Sequence, residues 1–437
     1  MIHLAHLFKG DGLRAQVLKG AGGTALVRAS SMLLMLASGV LLARSLGPEN
    51  YGIYSFVLSL IALLGLPANA GLPTLLVRET AKSQAVGRWG LVKGLLQIST
   101  SAVFVYSAII ALSAAFVVYW IWEADGSSQV DTFLWALWLL PIIAFEGVRT
   151  GVLRGLRWVA ISQIPEQIIR PALIIALLGT AIVLDRNVTA IQAVQFNIGA
   201  ALIASLVGAF FLFKAFPKHI TEVQPEYNIK PWFWSLLPLS IFAGLRMLDS
   251  QINILVLGLL GSSEEVGLFR VAVTGASLVT FGLTAINMAL APQVARMYQA
   301  GDMQKLQRMI TLTTRGAVLV SLPIATIFML WGEQLLGLVF GPEYVAAATA
   351  LAILCLAQII DASCGSVAVV LNMTGNDTAT VTSTLISLLL NLALAVALIP
   401  QYGLLGAALG YMVSLVSWNV MLAIVARKKT GLITFLQ

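Results

Sequence analysis

The chain has 437 residues, of which 59% are hydrophobic and only 10% are charged, whereas about 25% of residues carry charge in an ordinary soluble domain. This composition excludes a water-soluble globular fold, because a soluble chain of this length shows charged faces along all its helices. The net charge is +7. The basic residues nevertheless lie in short loops and form no continuous stripe, which argues against nucleic-acid binding.

Apolar segments long enough to cross about 30 Å of hydrocarbon follow one another along the chain. The predicted spans are residues 25–43, 52–72, 95–122, 132–150, 160–184, 190–213, 233–259, 267–291, 310–331, 345–371, 379–399 and 404–426. The sequence therefore predicts an all-α polytopic membrane protein with about twelve transmembrane helices. The first span follows a basic tail and is expected to be an uncleaved signal anchor, because it is longer than a signal core and leads into further spans.

The positions of Lys and Arg predict the orientation in the membrane. Twenty of the 26 lie in the two tails and the even-numbered connections, with Arg149 counted in the second of these, and only Arg44 and Arg186 lie in the opposite loops. Because basic residues are retained on the cytoplasmic side, both termini are predicted to be cytoplasmic and the protein is placed in the plasma (inner) membrane.

The two halves share a pattern of leucine-glycine, a second glycine and then an aromatic residue. It occurs as Leu46, Gly47, Gly52 and Tyr54, and again as Leu260, Gly261, Gly267 and Phe269. Repetition of a six-helix unit predicts two lobes related by a pseudo-two-fold axis, with a central cavity between them. The predicted lobes are residues 25–216 and 232–426. The cytoplasmic tails 1–24 and 427–437 and the inter-lobe loop 217–231 complete the chain.

Cysteine and histidine positions argue against metal chemistry. Cys355 and Cys364 fall in one predicted helix, and the three histidines lie outside the apolar segments. These residues are too few and too scattered for a disulfide framework or a metal cluster. The sequence therefore predicts neither a metal site nor a cofactor.

Several short motifs make a family resemblance recognisable. Residues 43–56 read ARSLGPENYGIYSF, residues 341–344 read GPEY, and residues 372–377 and 399–408 read NMTGND and IPQYGLLGAA. In this order and at these span boundaries they resemble the polysaccharide-biosynthesis (O-antigen type) flippases. That family belongs to the multidrug/oligosaccharidyl-lipid/polysaccharide exporter superfamily, which also contains multidrug and toxin extrusion transporters and lipid II flippases.

The resemblance implies both a cargo and partners. The cargo is a lipid-linked oligosaccharide, usually on an undecaprenyl diphosphate carrier, which is moved from the cytoplasmic to the outer face by alternating access. Membrane lipids and the machinery for glycan polymerisation and export are the further partners implied. Such transport needs no covalent step, so the protein is predicted not to be an enzyme.

Ionisable residues inside the predicted spans are the best site candidates, since burying one at the bilayer centre costs about 2.5–3.5 kcal/mol on insertion scales. They are Arg28, Glu166, Arg170, Arg246, Asp249, Arg270 and Asp361, with Glu146 near a span end. The arginines Arg28, Arg246 and Arg270 are candidate cargo-binding residues. The carboxylates Glu166, Asp249 and Asp361 are candidates for coupling transport to a proton or sodium ion.

Arg28 and Arg246 occupy the first spans of the two predicted lobes, where a pair of guanidinium groups would grip a diphosphate by bidentate hydrogen bonds. The alternative is that each arginine extends to the nearer interface or bonds backbone carbonyls. Glu166 and Arg170 are spaced i, i+4, which predicts an ion pair within one helix. Arg246 and Asp249 form a similar i, i+3 pair. Asp361 has no basic residue on its own helix, and its alternative role is a carboxylate bonded by an amide or serine near a kink.

Two other functions remain open. A multidrug antiporter of the same superfamily would show acidic residues in its first-lobe cavity, whereas the first span here contains Arg28, which favours an anionic cargo. A membrane sugar polymerase or ligase would need an external loop with acid and base residues. The longest outer connection, residues 123–131, is short for that role.

Overall fold

The computed structural model describes residues 13–69, 71–121, 127–184, 188–217 and 222–436. All the regular elements within these ranges are helical. Residues 1–12 of the predicted N-terminal tail lie outside the described residues, and Leu13 already belongs to the first helix. Lys9, which contributes to the predicted orientation, therefore has no structural description.

The helices follow the chain with short connections. They are α1 (Leu13–Leu64), α2 (Leu66–Asn69), α3 (Leu72–Ala85), α4 (Trp89–Ile121), α5 (Ser128–Ala136), α6 (Leu139–Gly155), α7 (Val159–Ile164), a π-helix (Pro165–Ile169), α8 (Arg170–Val183), α9 (Ala190–Ala215), α10 (Ile229–Leu260), α11 (Ser263–Val279), α12 (Phe281–Gln299), α13 (Met303–Val339), a 3₁₀-helix (Pro342–Ala347), α14 (Ala348–Cys364), α15 (Val367–Met373) and α16 (Asp377–Thr430).

Nine helical stretches in the described ranges are long and apolar enough to cross a membrane. This confirms the predicted all-α polytopic class. Two of the nine, Ser30–Leu64 and Asp377–Thr430, are interrupted at a glycine and each covers two predicted spans. The predicted span 267–291 is divided between α11 and α12. The count of twelve spans and the pseudo-two-fold symmetry stay predictions.

The breaks in α1 and α16 depend on glycines in the left-handed region, with φ of 71° at Gly47 and 51° at Gly403. Such φ values are readily adopted only by glycine. The restarted part of α16 has N–H groups without helical acceptors. Glu265 supplies one acceptor: its Oε1 accepts from the Leu404 N–H at 3.2 Å, while its Oε2 accepts from the Ser262 N–H at 3.1 Å. A single carboxylate therefore satisfies the beginnings of two helices.

The chain packs as two compact units. Unit 1 comprises Met1–Ser45 and Leu60–Gly244, and unit 2 comprises Leu46–Ser59 and Leu245–Gln437. Residues 46–59, expected in the first lobe, thus pack within unit 2, and residues 232–244, expected in the second lobe, pack within unit 1. The two lobes as repeated topological units stay a prediction.

Unit 1 has its core where α6 packs against α3, α4 and α9. Leu76, Val148, Val152 and Leu153 are fully buried there. Gly155 allows the close approach of α6 to α3, because a Cβ at this position would lie 2.6 Å from the Cβ of Thr80. This packing places the polar side chains of α6 on its opposite face, towards α9.

In unit 2, the two copies of the repeated sequence pattern pack against each other. A Cβ on Gly52 would lie 1.6 Å from the Ser263 carbonyl oxygen, and a Cβ on Gly267 would lie 2.0 Å from the Pro48 carbonyl oxygen. The nearest atoms on both sides belong to the backbone, which cannot move aside as a flexible side chain can. The pattern recognised in the sequence is therefore a helix-crossing contact, of the kind that small residues make in membranes.

We predict that Gly267→Val destabilises the protein strongly, because the new side chain must displace the carbonyl group of Pro48. Overpacking typically costs about 1–3 kcal/mol, and contact with backbone should place this variant at or above the upper end. Gly179→Val in α8 is the matched control, since a Cβ there meets nothing within 4 Å. Thermal unfolding of the two purified variants in one detergent tests this, and equal midpoints would contradict it.

Candidate functional site

Buried charges in unit 1 form a polar network of two arginines and two glutamates. It consists of Glu146 and Arg149 on α6, Glu166 on the π-helix and Arg170 at the start of α8. The Nη2 of Arg149 donates to Glu166 Oε1 at 2.7 Å, and Thr150 Oγ1 donates to the same oxygen at 2.7 Å. The network has no net charge, which suits its position inside a helical bundle.

Arg149 is the most deeply buried member of the network, with 0% of its side chain exposed. Its Nη1 donates to the Ala204 carbonyl of α9 at 3.2 Å. Gly208 on α9 provides the space, because a Cβ there would lie 1.2 Å from that nitrogen. The guanidinium is therefore built into the contact between α6 and α9.

The predicted ion pair between Glu166 and Arg170 is wrong. Arg170 instead donates from Nε to Asn197 Oδ1 at 3.0 Å, and its Nη1 lies 3.5 Å from Glu146 Oε2. The physical reason is that α6 and α9 supply partners on both sides, while the π-helix at Pro165–Ile169 widens the turn that joins the two residues. Tertiary partners thus replace the partner within the helix.

Arg149 was also misassigned from the sequence, since its position after an apolar segment placed it in a cytoplasmic loop. The structure places it inside unit 1, and the excess of basic residues on the predicted cytoplasmic side persists without it. The i, i+3 spacing of Glu146 and Arg149 does not identify the pairs either, because Glu146 interacts with Arg170 and Arg149 with Glu166. The orientation of the termini stays a prediction.

One oxygen of the network is unsatisfied. Glu146 is 5% exposed, and its Oε1 accepts no hydrogen bond from the described residues. A buried carboxylate oxygen without a donor is costly as an anion, so this atom is a place where the network can accept a proton. Glu166, the candidate named from the sequence, has both its donors on Oε1 and is 28% exposed.

Arg28 lies on α1 with an exposed side chain. It belongs to unit 1, whereas Arg246 belongs to unit 2. Their predicted pairing around a diphosphate therefore stays a prediction.

Unit 2 contains a polar cavity of about 260 Å³ between α10 and the two parts of α16. Hydroxyl, amide and aromatic groups line it beside one arginine and one aspartate. The lining residues are Arg246, Asp249, Ser250, Thr384, Ser387, Asn391, Tyr411, Ser414, Leu415 and Trp418. We refer to it as the unit 2 cavity. It contains two of the six residues proposed from the sequence.

Hydrogen bonds between the two parts of α16 form one wall of this cavity. The Ser387 and Ser414 hydroxyls lie 2.8 Å apart, and Trp418 Nε1 donates to Thr384 Oγ1 at 3.2 Å. Asn391, which is 1% exposed, keeps an Oδ1 that accepts no hydrogen bond within the described part of the chain. The cavity therefore offers a guanidinium and a carboxylate to a ligand, whereas the Asn391 Oδ1 is itself buried.

Asp361 lies beside the unit 2 cavity, near the end of α14. Its Oδ1 accepts from Asn419 Nδ2 on α16 at 2.8 Å. The Tyr411 hydroxyl accepts from Gln358 at 3.2 Å and is close enough to interact electrostatically with both Asp361 and Asp249. Asp361 is thus bonded by an amide one turn before the helix ends, and it is not among the residues that line the cavity.

Arg270 lies elsewhere in unit 2, on α11. Its guanidinium hydrogen-bonds the hydroxyl of Tyr51, which is 4% exposed. Tyr51 precedes Gly52, so this bond reinforces the helix crossing described above. Of the three arginines proposed to bind cargo, Arg270 therefore has an evident structural role.

We predict that Arg149→Ala lowers the free energy of unfolding by about 3 kcal/mol or more, because removing one partner of a buried ion pair leaves the other uncompensated. Arg88→Ala is the control. Arg88 pairs with Glu226 at an exposed site, where such pairs contribute about 1 kcal/mol or less. Equilibrium unfolding in mixed micelles measures both variants, and similar losses would show that Arg149 is not an essential part of the packing.

Comparison with known proteins agrees with this architecture. The family model described as polysaccharide biosynthesis protein matches residues 17–298, and the MatE model matches residues 241–397. No curated protein matches the chain.

Several solved structures share the fold at low identity. An inward-facing multidrug resistance MATE family transporter of the MOP superfamily is 18% identical, with a TM-score of 0.74 over 93% of this chain and 100% of that one. The lipid II flippase MurJ in an inward closed conformation is 12% identical, with a TM-score of 0.72 over 92% and 87%. A MOP superfamily transporter from Pyrococcus furiosus, described by the reverse polarity of its binding pocket, is 16% identical, with a TM-score of 0.62 over 97% and 98%.

The matched residues of the first family model cover more than half of the chain. The structural neighbours show the fold of MOP superfamily transporters and flippases. This polytopic membrane protein therefore belongs to the polysaccharide biosynthesis protein family.

Proposed function

We propose that the protein is a flippase that moves an oligosaccharide linked to a polyprenyl diphosphate, of the undecaprenyl type, from the cytoplasmic to the outer face of the plasma membrane. Family membership supports a role in polysaccharide biosynthesis. The cargo enters from the cytoplasm, where both termini lie, and its lipid chain stays in the bilayer throughout. The protein makes and breaks no covalent bond.

The observation that carries this proposal is the position of Arg246. It lies within the apolar helix α10 and lines the unit 2 cavity. A guanidinium at membrane depth is costly and is retained where it has a partner or a ligand. The predicted salt bridge between Arg246 and Asp249 is wrong: the two charges influence each other without a direct ion pair, and the Arg246 side chain is exposed. Arginine is suited to a diphosphate, because it stays charged and binds phosphate oxygens in a bidentate geometry.

The hydroxyl-rich wall formed by Thr384, Ser387 and Ser414 supports the same cargo. These hydroxyls hydrogen-bond within α16 and are nearly buried, so they make the wall polar, while Arg246 would recognise the phosphate that cargoes with different glycans share. The part of Arg28 in binding the phosphates stays a prediction from the sequence. Arg270 is assigned instead to the packing of α11.

Ion coupling is the second part of the proposal. Asp249 lines the cavity together with Asn391, and Asp361, which accepts from Asn419, is the second candidate carboxylate in unit 2. Carboxylate, amide and hydroxyl oxygens are ligands that hard cations prefer, and the same carboxylates accept protons. Binding an ion at Asp249 would neutralise the negative charge near Arg246 and so change the charge presented to the cargo.

A multidrug antiporter is the second candidate function. The fold match to a multidrug resistance transporter and the MatE match over residues 241–397 favour it. Such a protein would bind organic cations at Asp249 and Asp361, and Arg246 would oppose that binding. The charge of the cargo therefore separates the two candidates.

We expect that deleting the protein causes lipid-linked oligosaccharide to accumulate on the cytoplasmic face. Arg246→Ala should lower the amount on the outer face about tenfold or more, since a charged hydrogen-bond partner of the phosphate is lost. Arg246→Lys should be intermediate, because lysine keeps the charge without the bidentate geometry. A membrane-impermeant reagent that modifies glycans measures the two faces.

Lys428→Ala is the matched control for loss of one positive charge, because Lys428 is exposed at the end of α16. It should transport as the wild type does. Two results together would contradict the flippase and support the multidrug antiporter. The deletion would leave the distribution of lipid-linked oligosaccharide between the two faces unchanged, and the purified protein would export organic cations.

We also expect that Asp249→Asn and Asp361→Asn remove the dependence of transport on an imposed proton or sodium gradient. The reason is that an amide neither takes up a proton at these sites nor neutralises a bound cation. Proteoliposomes with opposed gradients measure this dependence. Asp377→Asn, at an exposed carboxylate in the first turn of α16, should keep it. Gradient dependence that survives in both Asp249→Asn and Asp361→Asn would exclude these aspartates as coupling residues.

A further inference from the structure

After α16 the last described residues turn back into unit 2. Helix α16 ends at Thr430, and Gly431 adopts φ 72°. The following segment, residues 432–436, is not helical. Leu432 is 3% exposed in a cluster with Leu306, Ile310 and Val370, and Thr434 is 2% exposed. Leu432 and Thr434 are thus part of the packed interior of unit 2, whereas Phe435 and Leu436 are exposed.

Gln307 on α13 holds this segment through both halves of its side-chain amide. Its Nε2 donates to the Ile433 carbonyl at 2.7 Å, and its Oε1 accepts from the Ile433 N–H at 2.9 Å. This arrangement imitates the pairing of one residue in a β-ladder, so it recognises an extended backbone and not a particular side chain. Thr314, two turns further along α13, donates from Oγ1 to the Thr434 carbonyl at 3.1 Å.

The far end of the segment reaches the break between α14 and α15. The Leu436 N–H donates to the Ser363 carbonyl at 2.8 Å, which belongs to the last turn of α14, where carbonyls lack helical partners. The break itself follows at Gly365, with φ 71°. A Cβ on Gly365 would lie 2.3 Å from Thr314 Oγ1 and 2.8 Å from the Thr434 carbonyl oxygen. The segment is therefore wedged against the break.

Asp361 belongs to the same last turn of α14, two residues before Ser363. We propose that residues 432–436 form a latch that positions Asp361, by holding the end of α14 and the break at Gly365 against α13. Docking of the latch and the hydrogen bond from Asn419 to Asp361 then stabilise one conformation of this turn together. An effect of the latch on transport rests on the proposed coupling role of Asp361. The latch itself concerns only how residues 432–436 and the end of α14 are held together.

Two conformational states linked in this way must influence each other reciprocally. Loosening the latch must loosen the turn that contains Asp361, and changing Asp361 must alter the latch. If residues 432–436 were merely anchored to α13, loosening them would not affect the turn that contains Asp361, and changing Asp361 would not affect them. This reciprocity is measurable without any cargo, by hydrogen exchange of the purified protein in lipid nanodiscs.

Gln307→Ala should raise the exchange rates of peptides covering 432–436 and 359–367 together, by about tenfold or more, because two hydrogen bonds are lost. Gln307→Glu keeps the acceptor for the Ile433 N–H and should give a smaller rise in both. Thr313→Ala is the matched control on the same helix, since its hydroxyl bonds only the Met309 and Ile310 carbonyls of its own turn. It should leave both peptides unchanged.

The reverse experiment is Asp361→Asn, which should change the exchange of residues 432–436 by about threefold or more, while Asp377→Asn should not. The latch is overturned if Gln307→Ala and Gln307→Glu accelerate only residues 432–436, or if Asp361→Asn leaves that segment within about twofold of the wild type. Failure of the proposed function would appear instead in the sidedness of the lipid-linked oligosaccharide.

Discussion

The constraint on which the rest of the structure depends is that a polar group inside the hydrocarbon region must find its partner within the chain. Arg149 meets this constraint with a glutamate and a backbone carbonyl, in space left by Gly208. Glu265 meets it for the N–H groups at two helix starts. Several buried polar atoms lack a partner among the described residues, and Glu146 Oε1 is one of them. We expect a proton to act at Glu146, and cargo at the exposed Arg246 beside the unit 2 cavity.

The same constraint explains why glycines decide the helix breaks and crossings. A break such as that at Gly403 frees backbone groups, and it is tolerated because the Glu265 carboxylate approaches to where a Cβ would stand, 1.8 Å from Oε1. Gly52 and Gly267 act differently, because they bring two backbones together. The sequence pattern thus combines two physical roles, a left-handed residue at Gly47 and a close contact at Gly52, within six positions.

Hydropathy and charge were sufficient to predict the helical membrane class, because the apolar runs are long and almost uncharged. The motifs around Gly47 and Gly403 were sufficient for the family. The ion-pair partners could not be predicted, because sequence spacing indicates only which residues are neighbours on one helix. The partners of Glu166 and Arg170 lie instead on α6 and α9. Arg149 was missed because a positive charge after an apolar run is typical of a loop, and only Gly208, 59 positions away, reveals where its side chain lies.

The two units satisfy their charges in different ways, and this difference bears on function. In unit 1 each arginine has a glutamate and a further acceptor, so moving one of these charges would break several hydrogen bonds at once. Glu146 Oε1 and Arg149 Nε are the atoms of this network that lack a partner among the described residues. In unit 2 the Arg246 side chain is exposed beside a cavity that Asp249 also lines. A charged group with fewer protein partners exchanges its ligands at lower cost than one held by several hydrogen bonds. Cargo exchange is therefore expected at the unit 2 cavity, whereas Glu146 in unit 1 is a site for a proton.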